Sequence, residues 1–254
     1  KYARISYLGH SYYALSEADG YHLLAGGLTE PPQKTGTVVS PKDARLLPPC
    51  EPGKIIAVGL NYADHAKEMN LALPEFPALF YKPASALIAY GDDILFPPMA
   101  KQVDYEGELA FVIGKTASYV PEESAKDYIF GYTCLNDVTA RDLQQIDSQW
   151  TRAKGFDTFC PLGPVIVTGI DPGHLHIQTR LNGRVKQDFS TEHLIFSPEK
   201  LVCLLSRIMT LYPGDVITTG TSSGIGSMQP GDVVEIEIEH IGFLKNTVKE
   251  LCKH

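Results

Sequence analysis

The sequence has no long apolar run and no paired cysteine motif. Its five cysteines are odd in number and never spaced as C-x-x-C: Cys50, Cys134, Cys160, Cys203 and Cys252. That pattern argues against a disulfide framework and against a zinc site, and it favours a reducing, cytoplasmic compartment. No stretch approaches the about 20 apolar residues that cross a bilayer, and residues 1–10 lack the apolar region of a signal peptide. The sequence therefore predicts no membrane partner.

Positive charge is also scarce, and it is not clustered. The 254 residues include 22 Lys and Arg against 30 Asp and Glu, a formal net charge of −8. Because nucleic acids are polyanions bound through basic patches, this composition argues against a nucleic-acid partner. A nucleotide fold is not indicated, because G-x-G-x-x-G is absent and the loop TTGTSSGIG (218–226) lacks the G-K-[ST] ending of a Walker motif. Such a loop still offers N–H groups and hydroxyls to a small anion.

Short strands dominate what the sequence does contain. Apolar runs rich in β-forming residues predict strands at 54–60, 107–114, 131–137 and 164–170. Residues 231–242 alternate Val or Ile with Glu, which is typical of a strand with one solvent-exposed face. Asn182-Gly183 supplies the positive φ angles of a type I′ turn and predicts a hairpin over 175–189. Helices are predicted at 61–70, 139–150 and 197–210, the last with Ser197 as N-cap.

These elements predict a β-rich α+β fold with long irregular connections. The Pro-rich segment SPKDARLLPPCEPGK (40–54) reads as an extended connector, because the residue before a proline avoids the helical region. We place a domain boundary there. A small N-terminal β domain is expected over 1–45 and the main domain over 46–254.

The stretch DYEGELAFVIG (104–114) places three carboxylates at the start of an otherwise apolar segment. Because side chains alternate between the faces of a strand, Asp104, Glu106 and Glu108 are predicted to share one face. Like charges at that spacing repel, so positive groups are expected among them. Lys82, Arg141 and Lys154 are the candidates, although each alone would more often be a surface charge.

Asp137 is a fourth acidic position of interest, in CLNDVTARDLQ, where an apolar strand meets a predicted helix start. Taken alone, it is favoured as a helix N-cap by roughly two to one. Together with Glu106 and Glu108 it suggests a hard divalent cation, because carboxylate oxygens suit Mg²⁺, Mn²⁺ or Ca²⁺. Three carboxylates and waters would leave coordination positions open for a chelating substrate.

His65 and Glu68 stand three residues apart, on one face of the predicted helix at 61–70. A carboxylate beside an imidazole raises its basicity and fixes its tautomer, as a general base requires. The alternative is an exposed His–Glu surface pair, which is common and contributes little to stability.

In this order, the motifs resemble the fumarylacetoacetate hydrolase family, and more closely its small branch of acylpyruvate hydrolases and homoprotocatechuate-pathway isomerase/decarboxylases. The similarity covers about residues 46–248 and rests on LLPPCEPGKIIAVGLNYADHAKE, LFYKPASALI, VDYEGELAFVIG, GYTCLNDVTARDLQ, WTRAKGFDTFCPLGP and GDVITTGTSSGIG. The fold that this resemblance implies is the family's mixed β-sandwich roll, assembled as a homodimer.

The resemblance also implies roles for individual residues. Glu106, Glu108 and Asp137 would bind Mg²⁺ or Mn²⁺, with Ca²⁺ as a further option, and His65 and Glu68 would activate water. Lys154 would join them in the catalytic site, and the substrate would be bound by Arg141, Gln144, Thr221 and Lys82. Ser222 stands where family members often have Pro after the threonine, and this difference could alter substrate choice.

The function predicted from this resemblance is metal-dependent hydrolysis of a C–C bond in 2,4-dioxo acids of the acylpyruvate type. The metal would stabilise the pyruvate enolate that leaves. One alternative is decarboxylation of oxaloacetate or 2-oxo-ene-dioates, and another is isomerisation of 2-hydroxyhepta-2,4-diene-1,7-dioate in aromatic catabolism. The non-enzyme alternative is a catalytically inactive domain that binds a metal or ligand. The partner expected in each enzymatic case is a small dicarbonyl carboxylic acid.

Overall fold

The computed structural model describes residues 1–63 and 75–251. His65 and Glu68, and most of the helix predicted at 61–70, lie outside the described residues. Within those two ranges, none of the helices has the length and apolar character needed to cross a bilayer.

The chain is 46% strand and 16% helix, which confirms the β-rich prediction. The strands are β1 (Tyr2–Tyr7), β2 (His10–Glu17), β3 (Gly20–Leu24), β4 (Lys34–Val39), β5 (Arg45–Leu47), β6 (Ile55–Gly59), β7 (Ala78–Lys82), β8 (Leu87–Ile88), β9 (Asp93–Phe96), β10 (Val103–Tyr105), β11 (Gly107–Ile113), β12 (Ile129–Asn136), β13 (Thr139–Ala140), β14 (Cys160–Val167), β15 (His176–Leu181), β16 (Arg184–Ser190), β17 (Val216–Thr218), β18 (Gly226–Met228), β19 (Val233–Ile238) and β20 (Gly242–Glu250). Among the residues that the structure describes, the complete α-helices are α1 (Arg141–Ile146), α2 (Thr151–Lys154) and α3 (Pro198–Ile208). Short 3-10 helices cover Ala84–Ala86, Glu122–Tyr128, Pro172–His174 and Thr191–His193.

The strands of residues 1–63 and 75–251 form three sheets. The largest has 12 strands in the order β4-β3-β2-β1-β14-β12-β11-β17-β6-β7, with β5 beside β1 and β8 beside β14. A five-stranded sheet has the order β16-β15-β19-β20-β9, and a three-stranded sheet the order β13-β10-β18. Pairing of β1 with β14 joins the N-terminal strands to the sheet of the main domain. The domain boundary after residue 45 stays a prediction.

The centre of the fold is β11, which is buried along its whole length. Leu109, Phe111 and Ile113 point into the main core, where they join Ile177 and Ile236 of the five-stranded sheet. The alternate residues of β11 belong to a second core on the other face. Because both faces are covered by apolar side chains, the two glutamates at the start of this strand are held where water is scarce.

Local sequence signals predicted two elements correctly. Asn182 and Gly183 have φ angles of 52° and 75° and join β15 to β16 as the predicted hairpin. Helix α3 begins after Ser197, whose hydroxyl accepts a hydrogen bond of 3.3 Å from the Lys200 N–H. The single helix predicted at 139–150 is wrong. Thr139 and Ala140 pair with β10 instead, so α1 starts only at Arg141 and ends at Ile146.

The acidic stretch is not one continuous strand, as the alternation predicted, because the chain changes sheets at Glu106. β10 belongs to the three-stranded sheet and β11 to the large one. Between them, the Glu106 N–H donates to the Asn136 side-chain oxygen over 3.0 Å, and its carbonyl accepts from the Asp137 N–H over 2.9 Å. These two bonds replace ladder pairing and bring Glu106 beside Asp137.

Candidate metal centre

Glu106, Glu108 and Asp137 converge at this change of sheets. All three are buried, and one carboxylate oxygen from each lies within 4.8 Å of the other two. Two oxygens bound to one Mg²⁺ are about 3–4 Å apart, because each Mg–O bond is about 2.1 Å long. The three side chains thus form a compact oxygen donor set of the kind that hard divalent cations prefer, and they are the three predicted from sequence.

The last residue of β17 and the loop that follows it hold the Glu108 side chain in place. Its Oε2 accepts hydrogen bonds from the Thr218 hydroxyl and, over 2.9 Å, from the Gly220 N–H. Gly220 has a φ of +81°, and a Cβ there would lie 2.8 Å from the Val58 carbonyl oxygen, so only glycine fits. Burial and the neighbouring charges of Asp137 and Glu106 raise the pKa of Glu108 well above its usual range. A cation bound among the three would offset that repulsion.

Glu106 is paired with two cations. Lys154 Nζ donates to its Oε2 over 2.8 Å and to Asp137 Oδ2 over 2.7 Å, and Arg141 Nη2 donates to its Oε1. Burial alone would raise the pKa of Glu106, but the charges of Lys154 and Arg141 outweigh it and hold that pKa well below the usual range. Burial likewise opposes the charge of Lys154, yet Asp137 and Glu106 raise its pKa above the ordinary value.

Lys82 has a different place from the one predicted. Its side chain is fully buried, and its Nζ donates to Asp137 Oδ1 over 2.5 Å and to the Lys154 carbonyl over 2.8 Å. Lys82 therefore lies behind Asp137, where it positions the carboxylate, and it does not line the cavity. Asp137 itself is not a helix N-cap, because α1 begins after Ala140 with no side-chain cap.

Each of the three guanidinium nitrogens of Arg141 donates to another side chain. Besides Glu106, its guanidinium donates to Asp104 Oδ2 over 2.8 Å and to Gln144 Oε1 over 2.5 Å. Asp104 is therefore a partner of Arg141 and lies outside the group of three carboxylates. These contacts confirm that positive groups lie among the acids, although the surface position considered for each cation is wrong.

The described charged side chains of this cluster have a formal excess of one negative charge, which a bound cation would offset. Its four acids outnumber its three bases by one: Asp104, Glu106, Glu108 and Asp137 against Lys82, Arg141 and Lys154. With every group ionised, the described residues of this cluster carry a net charge of −1, and a divalent ion would change it to +1, which suits an anionic substrate. The residues thus fit a hard divalent cation by donor type, spacing and charge. A second acidic group, formed by Glu17, Asp19 and His22, differs because its carboxylates are exposed and already contact His22.

A cavity of about 250 Å³ opens onto the three carboxylates. This is below the roughly 300–1,000 Å³ of sites for drug-sized ligands, so it suits a small metabolite. Arg141, Gln144, Lys154 and Thr221 line it as predicted, together with residues that the sequence analysis missed: Val58, Gly59, Leu60, Phe80, Gln145 and Trp150. Gln145 adjoins a predicted site residue, and Trp150 is the only tryptophan of the chain.

The apolar side of the cavity is an aromatic wall. The rings of Phe80 and Trp150 meet edge to face with centroids 5.2 Å apart, and Lys154 Nζ lies 4.9 Å from the Phe80 centroid. Trp150 packs so closely on Gly59 that a Cβ there would lie 3.2 Å from the indole. Leu60 has a φ of +58°, a strained conformation for leucine. The strand β6 therefore ends in a tightly fixed backbone at the cavity.

Asn61 anchors that backbone. Its side chain is fully buried and donates to the carbonyls of Phe196 over 2.9 Å and Thr219 over 2.8 Å, and it accepts from the Phe196 N–H over 2.7 Å. These bonds tie the end of β6 to Phe196 and to the loop 219–221, which contains Thr221 and binds the Glu108 side chain.

Gly107 separates two of the candidate ligands, and its missing side chain is a structural requirement. A Cβ at this position would lie 2.1 Å from Thr179 Oγ1, far inside contact distance. We expect Gly107→Ala to destabilise the protein by about 1–3 kcal/mol or more, because backbone or Thr179 must move to make room. Urea unfolding measures the change. Gly173→Ala is the control, since its Cβ would meet only Asp171 Oδ1 at 3.3 Å; an equal loss in both variants would contradict the steric argument.

Comparison with known proteins identifies the family of this chain. The family model described as fumarylacetoacetate (FAA) hydrolase C-terminal matches residues 54–249, and the model Rv2993c-like, N-terminal, matches residues 1–49. The mitochondrial oxaloacetate tautomerase FAHD2A of Bos taurus is 43% identical over 215 residues, which cover 80% of this chain and 68% of the relative.

Two solved structures show the same fold. A 5-carboxymethyl-2-hydroxymuconate delta-isomerase from Mycobacterium smegmatis is 43% identical, with a TM-score of 0.93 over 98% of this chain and 99% of the other. A fumarylpyruvate hydrolase from Pseudomonas aeruginosa, in complex with Mn²⁺ and pyruvate, is 31% identical, with a TM-score of 0.75 over 82% and 92%. The predicted resemblance is thereby confirmed, and the chain belongs to the fumarylacetoacetate hydrolase family of enzymes.

Proposed function

We propose that this chain is a Mg²⁺- or Mn²⁺-dependent hydrolase that cleaves small 2,4-dioxo acids of the acylpyruvate type. The observation that carries the proposal is the buried group of three carboxylates facing a small cavity. A bound cation would act there as a Lewis acid on the oxygens of a 2-oxo acid. The solved relative that holds Mn²⁺ and pyruvate supports this choice of metal and a substrate that contains a pyruvate group.

The described residues supply the binding groups. Glu106, Glu108 and Asp137 would hold the cation, and Lys82 and Lys154 keep Asp137 in place through their ion pairs. The substrate carboxylate would lie against the loop at Thr221. The predicted water-activating pair, His65 and Glu68, lies outside the described residues and stays a prediction, as does the homodimer.

The wall of the cavity favours a substrate whose acyl group, at the end away from the 2-oxo acid, is uncharged. Arg141 and Lys154, the two cations that line the described cavity, are both already paired with carboxylates. Phe80 and Trp150 form the apolar side instead. A second carboxylate would therefore find no unpaired cation among the described lining residues, whereas a short alkyl or aryl acyl group would be desolvated against the rings.

The second candidate function is proton transfer without bond cleavage, either keto–enol tautomerisation of oxaloacetate or isomerisation of a 2-hydroxy-diene-dioate. Two relatives at 43% identity carry the names of a tautomerase and of a delta-isomerase, which favours this candidate. The same three protein carboxylates would serve, because both reactions pass through the enol of a 2-oxo acid. The uncharged cavity wall, however, favours the first candidate, since these substrates carry a second carboxylate.

The test is product analysis by NMR with acetylpyruvate, oxaloacetate and 2-hydroxyhepta-2,4-diene-1,7-dioate, each with Mn²⁺ and with EDTA. We expect Mn²⁺-dependent formation of acetate and pyruvate from acetylpyruvate. Enol–keto exchange of oxaloacetate or isomerisation of the diene, with acetylpyruvate intact, would replace the proposal by the second candidate. Loss of CO₂ from oxaloacetate would instead identify a decarboxylase. Turnover that persists in EDTA would contradict the role of the metal.

A further inference from the structure

Gln187 is a buried polar side chain on an otherwise exposed edge strand. Its neighbours in β16, from Arg184 to Lys186 and at Asp188, are exposed, but Gln187 is only 1% exposed. A buried amide is costly unless its donors and acceptor are all paired, so its hydrogen bonds show what it is there to hold.

Those bonds close a ring with Gly107 and Thr221. The Gly107 N–H donates to Gln187 Oε1 over 3.0 Å, Gln187 Nε2 donates to Thr221 Oγ1 over 2.8 Å, and Thr221 Oγ1 donates to the Gly107 carbonyl over 2.8 Å. Gln187 Nε2 also faces the carbonyls of Ser222 at 3.1 Å and Ser223 at 3.4 Å. Because carbonyls only accept and an N–H only donates, the orientation of this amide is fixed.

The ring joins the segment that carries the candidate ligands Glu106 and Glu108 to the loop that carries Thr221. Gly107 is the residue between Glu106 and Glu108, and Thr221 lines the cavity. Gln187 is absent from the cavity lining, so it acts on the site only through these two neighbours. We propose that Gln187 is a positioning residue, which sets the loop 221–223 at a fixed distance from the metal ligands so that the loop receives the carboxylate of a 2-oxo acid. This inference rests on the proposed function.

The ring also determines what the Thr221 hydroxyl can do. Its single proton is directed to the Gly107 carbonyl, and its oxygen already accepts from Gln187. The hydroxyl therefore holds the loop in place and has no proton left to donate to a carboxylate. Accordingly, removal of the hydroxyl should act like removal of the Gln187 amide, through a change in loop position.

The test uses Gln187→Met, which keeps the length of the side chain and removes its hydrogen bonds. Calorimetric titration gives the Kd of the protein for Mn²⁺, and then the Kd of the Mn²⁺-loaded protein for pyruvate. We expect the pyruvate Kd to rise about tenfold, the effect of losing one well-placed hydrogen bond. The Mn²⁺ Kd should change little, because Glu106 keeps Arg141 and Lys154 as partners. Gln178→Met, on the neighbouring β15 and partly exposed, is the matched control and should bind both as the wild type does.

A second variant keeps the test decisive if Gln187→Met fails to fold. Thr221→Val preserves shape and removes the hydroxyl, so it should raise the pyruvate Kd similarly, and the double variant should be no weaker than either single one. Wild-type pyruvate binding in either folded variant, even with a lower melting temperature, would overturn the positioning role. Pyruvate binding by a wild type that turns over none of the dioxo acids would refute the proposed function only. A wild type that binds Mn²⁺ but not pyruvate would refute both.

Discussion

Glu108→Gln is expected to lose Mn²⁺ binding and turnover without losing stability. The variant removes one of three ligand charges, so affinity should fall by more than the roughly 10–100-fold seen when an outer partner of a ligand is lost. Turnover should fall by about 10³-fold, because several kcal/mol of charge stabilisation disappear from the reaction. In EDTA the variant should melt no lower than the wild type. Its amide oxygen can still accept from Thr218 and Gly220, and it no longer repels Asp137 and Glu106.

Calorimetric Mn²⁺ titration and thermal melts in EDTA and in Mn²⁺ measure these effects. Asp104→Asn is the matched control, since it changes a buried carboxylate of the same stretch that pairs with Arg141 and lies outside the group of three. It should keep Mn²⁺ binding and the rise in melting temperature that Mn²⁺ produces. If Glu108→Gln bound Mn²⁺ as the wild type does, the metal centre would have to be elsewhere.

The second large effect is expected for Lys154→Met, which should unfold more easily in EDTA and recover in Mn²⁺. Lys154 is 3% exposed at its side chain and pairs with both Glu106 and Asp137. Its loss removes one of the two cations that pair with each carboxylate, so the cost should approach the about 3–5 kcal/mol of breaking a buried ion pair. A divalent cation in the cluster replaces the missing charge, so Mn²⁺ should stabilise the variant more than it stabilises the wild type.

The control for this recovery is Lys54→Met. Lys54 also forms an ion pair with a buried carboxylate, that of Asp215, but it lies just before the start of β6 and does not line the cavity. Urea unfolding should show a loss of stability in both variants, and only Lys154→Met should regain it with Mn²⁺. Recovery of both, or of neither, would show that the effect of Mn²⁺ is not exerted at the three carboxylates.

Elements with signals in neighbouring residues were predicted correctly. The turn at Asn182-Gly183 and the start of α3 at Ser197 depend on φ preferences and on a hydrogen bond three residues away. Such interactions are encoded within a few positions of the chain. For the same reason, the strands at 54–60 and 107–114 were found to within one residue at each end.

Asp137 shows where local reasoning fails. Taken alone, its position before a predicted helix favoured an N-cap, but Thr139 and Ala140 pair with β10 and delay the helix. Likewise Glu106 was predicted to lie within a strand, but its backbone bonds to residues 136 and 137 instead. In both cases a contact between distant segments outweighs a local preference of about 1 kcal/mol.

The amino-acid sequence was enough to predict the residue types of the candidate metal centre, the β-rich fold and the local caps and turns, because these depend on chemistry and on near neighbours. Which charges are buried depends instead on contacts between distant segments. Lys82, Arg141 and Lys154 look like surface cations along the chain. They become internal partners because the chain passes from one sheet to another at Glu106, which brings carboxylates from other segments to them. The hydrogen bonds of Gln187 could likewise not be predicted from the sequence, since its partners lie 34 and 80 residues away.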